Sequence, residues 1–160
     1  MIIDFPRSIT PMLAFPKAGA AIDWYREAFG AVELMRLEAD GVVGHAEMRI
    51  AGALVMLADE HARYNRSPAT LGGTSAIFHL YVDDVDAFAD RAVAAGAKVI
   101  FLVEDQDYGD RAGRLEDPFG YQWAVATPQR TVPAAEMQAQ YEAWLTVHPE
   151  GRPDSSRQES

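Results

Sequence analysis

Residues 105–127 read "DQDYGDRAGRLEDPFGYQWAVAT". The first half is acidic and broken by Gly109. The second half turns at Asp117-Pro118-Phe119-Gly120 and then alternates over 121–127. Pro fixes φ at the second position of a type I turn, Asp suits the first and Gly the fourth. We assign this tetrapeptide a turn and no chemistry. It joins "RAGRLED" (111–117) to "YQWAVAT" (121–127) as two strands of a hairpin.

Upstream of the hairpin, "AKVIFLV" (97–103) and "AIFHLYV" (76–82) read as strands. Between them "DVDAFADRAVAAG" (84–96) places Val85, Phe88, Ala89 and Ala92 on one helical stripe. The element order is βαβββ. The same order occurs earlier. "SITPMLAF" (8–15) is strand-like, and "AGAAIDWYREAFG" (18–30) is helical with Ala18, Ala21, Ile22, Tyr25 and Phe29 in phase. "AVELMRLEA" and "VVGHAEMRI" flank the hairpin signal Asp40-Gly41, and "ALVMLAD" (53–59) closes the set. A shift of 67 residues lays Phe15 on Val82, Ala18 on Val85, Ala21 on Phe88, Ile22 on Ala89 and Tyr25 on Ala92. A shift of 68 lays Gly52 on Gly120. The chain is read as an internal duplication, module one over 8–58 and module two over 76–127.

The loop over 59–75, containing "EHARYNRSPATLGGTS", is polar and long for a bare connection; such loops are linkers or lids. Residues 128–160 form an extension. It holds a candidate helix over about 133–147, with Met137, Tyr141, Trp144 and Leu145 as its apolar face, and a tail (148–160) expected to be disordered.

The totals narrow the function. A chain of 160 residues suits one domain with a real core. Its net charge of −10 repels phosphate backbones, so nucleic acid is not expected as a partner. There is no cysteine, which removes disulfides, thiolate metal sites and Cys nucleophiles. No apolar run is long enough to span a membrane, and "MIIDFPRSIT" lacks the pattern of a signal peptide, so the expectation is a cytoplasmic protein without membrane contact. Neither a Gly-rich phosphate loop nor a Ser nucleophile elbow is present. The acidic loop with Glu104, Asp105, Asp107 and Asp110 lacks EF-hand spacing.

The paired modules, with "ITPMLAF", "AIDWYREAFGA", "HAEMRIAG", "VMLADE", "HLYVDDVDAFADRAVAAGA" and "GDRAGRLEDPFGYQWAVAT", resemble the vicinal-oxygen-chelate superfamily over residues 8–127. That superfamily holds glyoxalase I, extradiol dioxygenases, and fosfomycin- and bleomycin-resistance proteins. The PhnB-like branch is the nearest in look. The resemblance implies an α+β fold of two half-barrels around a cleft, and a homodimer. It also implies metal ligands at four positions, which fall on Thr10, Met56, Ile77 and Ala124. None offers imidazole or carboxylate, so no metal and no cofactor are expected.

Strand parity gives the candidate cleft residues. On 121–127, Tyr121, Trp123 and Val125 face the helix, leaving Gln122, Ala124 and Ala126 toward the cleft. On 76–82 the cleft face is Ile77, His79 and Tyr81. On 42–50 the apolar face is Val42, Ala46, Met48 and Ile50, with His45, Glu47 and Arg49 opposite. The expected pocket has Met12, Ile77 and Tyr81 as wall and His45, Glu47, His79 and Gln122 as polar fixtures, with Tyr108 and Arg111 closing the mouth. His45, Glu47 and His79 are also the candidates for acid/base catalysis or a displaced metal site. The plain alternative is a solvated strand face carrying a cross-strand ion network. Two functions stay open: a metal-free protein binding a small, flat or cationic organic ligand, and a lyase, isomerase or dioxygenase using those three residues.

Overall fold

A computed structural model describes residues 9–149. Ser8, and all but the first two residues of the 148–160 tail, lie outside the described residues. Module one runs β1 (Met12–Phe15), α1 (Ala18–Phe29), β2 (Val32–Ala39), β3 (Val42–Ile50) and β4 (Ala53–Asp59). A short helix, α2 (Pro68–Leu71), lies in the connecting loop. Module two runs β5 (Ile77–Tyr81), α3 (Val85–Ala94), β6 (Lys98–Asp105), β7 (Asp110–Glu116) and β8 (Gln122–Pro128). The α+β fold of two tandem βαβββ modules expected from the sequence is the fold observed.

Each module builds its own four-stranded sheet, in the orders β1-β4-β3-β2 and β5-β8-β7-β6. The first strand of each pairs parallel with the last, Met12 with Met56 and His79 with Ala124. Antiparallel hairpins complete the sheets, and neither closes into a barrel.

The helices explain the core. Asp59 accepts the Ala18 amide at 2.7 Å, tying the start of α1 to the end of β4. Asp84 caps α3 by accepting from the Ala87 amide at 3.0 Å, satisfying an N–H that lacks a helical partner. The buried stripes of α1 (Ala18, Ala21, Ile22, Tyr25) and α3 (Val85, Phe88, Ala89, Ala92) meet the buried faces of both sheets in one core. Phe29 packs on Phe88 with ring centroids 4.8 Å apart, so the two helices touch between the modules.

Polar bonds cross the same seam. Asp117, buried in the 117–120 turn, accepts from the Tyr25 hydroxyl at 2.5 Å and from Trp123 Nε1 at 2.9 Å. The Tyr121 hydroxyl donates to the Ala14 carbonyl and accepts from the Ala14 amide, both at 2.9 Å. The turn itself closes through the Gly120 amide on the Asp117 carbonyl at 3.1 Å, as its composition predicts.

One face assignment is corrected. Val42 is half exposed and Val43 is buried. Leu37 pairs with His45 but Glu38 pairs with Val43, so Gly44 is skipped and forms a bulge. One extra residue reverses parity beyond it. Beyond the second module, α4 (Ala134–Val147) has no buried residue and, among the described residues, rests on no other helix or strand. Among the described residues its apolar side therefore does not cover its own domain. Tyr141, Trp144 and His148 stack along it instead.

Candidate functional site

The sheet faces turned away from the helices are open. On module two, one row crosses the sheet through the partners His79, Ala124, Arg114 and Phe101. A cavity of about 440 Å³ sits on this row. His79, Phe101, Arg114, Tyr108, Gln106 and Glu104 line it, above a floor of Ala112, Gly113 and Ala124. Small floor residues are what open it, because a larger side chain at 124 would fill the row.

The walls come from irregular pairing. Register shifts on β6 between Val99 and Phe101, and between Phe101 and Glu104, bring Ile100, Phe101 and Leu102 all to the cavity. Tyr108 stands at the β6–β7 turn, where the Gln106 amide donates to Asp110 at 2.7 Å and the Gly109 amide to Gln106 at 3.0 Å. Partial burial pushes the Tyr108 hydroxyl pKa up, with Asp110 and Tyr81 acting in the same direction and Arg114 opposing them. Tyr108 thus stays a neutral donor at the mouth. Arg114 lies over the Phe101 ring at 5.0 Å. Its Nε is buried with no hydrogen-bond partner among the described residues.

The candidates read from parity separate into two groups. His79 and Tyr108 line this cavity. Tyr81 packs against the His79 ring at 4.7 Å, and Ile77 and Gln122 form the next row of the same face. Met12, His45 and Glu47 are on the other sheet. Met12, Met56 and Glu47 are successive partners there, and His45 Nε2 lies 3.3 Å from Glu47 Oε1. None of these three lines the His79 cavity. Arg111 does not line it either. Its Nε and Nη2 each donate to Asp86 at 2.7 Å and its Nη1 to Asp105 at 3.2 Å, which holds it toward α3. A separate cavity of about 400 Å³ lies at the seam, where Pro11, Arg49 and Leu54 of module one face Phe78 and His79 of module two. Arg114 and Phe101 were not singled out from the sequence. The signal that finds them is their position beside Ala124, one and two strands across the sheet.

The family model of the Glyoxalase/Bleomycin resistance protein/Dioxygenase superfamily matches residues 10–125. The chain belongs to this superfamily. A protein of Mycobacterium tuberculosis strain H37Rv, named as uncharacterised, is 44% identical over 87% of this chain and 85% of its own length. Among solved structures, a gene product of Arabidopsis thaliana superposes with TM-score 0.62 at 30% identity, covering 76% of this chain and 99% of that one. TioX from Micromonospora sp. ML1 gives TM-score 0.62 at 28% identity, covering 79% and 99%.

The superfamily implies a metal at Thr10, Met56, Ile77 and Ala124, and the side chains there do not fit one. Divalent transition metals need converging imidazole or carboxylate donors. This set supplies a hydroxyl, a thioether and two alkyl groups. Among the described residues no three or more His, Asp or Glu stand together as a ligand group, and His79 is on a different sheet from His45 and Glu47.

Proposed function

We propose that this superfamily member binds a small organic molecule in the module-two cavity, on His79, Tyr108, Arg114 and Phe101. The observation that carries this reading is the cavity's mixture of an apolar aromatic wall with a few convergent polar groups, the usual make-up of a small-molecule site. Superfamily members bind small molecules and often pair as dimers, and a homodimer is the assembly we propose here.

A fragment library screened by thermal shift, with hits placed by NMR, tests the reading. Hits should perturb the Ala112 and Ala124 methyl groups. His79→Ala should weaken the best hit by about 1–3 kcal/mol, the cost of removing one partner of a buried polar contact. Glu47→Gln, on the other sheet, should leave it unchanged. Hits that perturb only module one, or none anywhere, would refute the site.

A further inference from the structure

Arg114 has an environment unlike that of the other arginines on the strands. Arg36 is held by Glu33 and Glu38, Arg111 by Asp86 and Asp105, and Arg49 donates to the Gly52 carbonyl. Arg114 makes no ion pair among the described residues, and its Nε–H is buried without an acceptor. An unpaired N–H shielded from water is costly, the more so on a cation. In a chain of net charge −10, carboxylates to satisfy it are plentiful elsewhere on the surface. One acidic side chain, Glu104, shares the cavity, but it pairs across the sheet with Ala112, on a different row from Arg114.

The neighbours of Arg114 leave a gap of defined shape. His79, Ala124 and Arg114 are consecutive partners across three strands. Adjacent strands lie about 4.8 Å apart, so His79 and Arg114 stand roughly 10 Å apart with only a methyl group between them. Ala124 is also where the superfamily pattern would set a carboxylate for a metal. Here that carboxylate is replaced by a methyl and a guanidinium stands beside it, so the local charge is reversed.

We infer that the cavity takes an organic acid, its carboxylate seated over Ala124 against the Arg114 guanidinium and its planar body against Phe101. This rests on the binding reading given above. It replaces the cationic ligand expected from net charge, because Arg114 is the charged group beside Ala124 and Glu104 stands on a different row of the sheet. A guanidinium presents its N–H groups as a planar fork that matches a carboxylate with two parallel bonds. Tyr108 and His79 supply further donors in the same cavity, and Ile100, Leu102 and the part of Phe101 not under the guanidinium give an aromatic body an apolar wall.

The probes are benzoate, neutral benzamide and cationic benzamidine, three ligands of nearly the same shape. The readout is the Ala124 methyl resonance of the full chain on titration. Benzoate should shift it saturably, and benzamidine should not. Arg114→Gln should weaken benzoate about tenfold to a hundredfold, as loss of a charged hydrogen-bond partner does. Arg114→Lys, keeping charge but losing the fork, should fall between the two. Circular dichroism confirms that the variants are folded, and Arg114→Lys carries the test if the Gln variant is not. Benzamide or benzamidine binding as well as benzoate would overturn the acid while leaving the cavity reading intact. Benzoate binding unchanged in both variants, or no Ala124 shift with benzoate, would also overturn it. The cavity reading itself falls only with the wider fragment screen.

Discussion

Asp117 joins the modules at the scale of one residue. Its carboxyl accepts from the Tyr25 hydroxyl, the Trp123 indole and the amides of Phe119 and Tyr121. Four donors converge on it, so Asn, whose amide nitrogen is itself a donor, must set donor against donor. Asp117→Asn should cost about 1–3 kcal/mol in urea unfolding. Its pH dependence has a definite sign. Burial is the leading influence and pushes the Asp117 pKa up, against the pull of the four donors. A group whose pKa is raised on folding adds stability below its unfolded value, about 3.9, and loses it as pH rises through the folded value. The stability gap between wild type and the Asn variant should therefore narrow as pH rises from 3.9 through that raised value. A widening gap would mean the donors outweigh burial. Arg111 is the contrasting case. Its pairs with Asp86 and Asp105 are partly exposed, and exposed pairs contribute about 0–1 kcal/mol. Arg111→Ala should shift the urea midpoint only slightly, less at high salt, and leave cavity binding as it is. Sequence alone marked the 117–120 turn from its backbone chemistry. It could not show where the Asp117 side chain ends, because the partner Tyr25 is 92 residues away.

Among elements, the β6–β7 hairpin sets the shape of the site. Gly109 at its tip has φ of 100°, and an added Cβ would run into the Arg130 carbonyl. Two effects coincide there, a left-handed conformation and a backbone obstruction. Gly109→Ala should destabilise by more than about 1 kcal/mol. Gly109→Asn, which tolerates positive φ, should recover little, since the carbonyl obstructs any Cβ. Full recovery by Asn would show that conformation alone matters. The order of elements was legible because each has a strong period: the Val85, Phe88, Ala89 and Ala92 stripe repeats that of Ala18, Ala21, Ile22 and Tyr25. The irregular places were not. A period of two carries no record of a skipped residue, so the bulge at Gly44 reversed Val42 and Val43. The shifts in β6 likewise hid that Ile100, Phe101 and Leu102 all reach one cavity.

For the whole molecule, parity found which side chains face away from the helices and could not tell which sheet's face would hold a cavity. His79 and His45 looked equivalent on their strands, yet they lie on separate sheets. The same open faces carry the argument for assembly. β2 and β6 are the outer edges of their sheets, eight residues each. They expose Val32, Leu34, Met35 and Leu37 on one side, and Val99, Ile100, Phe101 and Leu102 on the other. Long apolar edge strands invite pairing with another chain unless they are covered. α1 and α3 touch these strands but leave those side chains exposed, and α4 contacts neither strand among the described residues. A second copy would cover them with the same kind of surface, and a stable dimer of this type hides about 800 Å² on each partner. Light scattering after gel filtration should give about twice the 17.6 kDa chain mass. Placing charge on the exposed edge, with Leu34→Glu and Leu37→Glu together, should shift the protein to monomer while circular dichroism stays the same. Both substitutions lie on module one, away from the cavity, so benzoate binding reports separately on whether the site needs the pair. A wild-type monomer across the micromolar range would refute the dimer, and the apolar edges would then have to be met by a different partner.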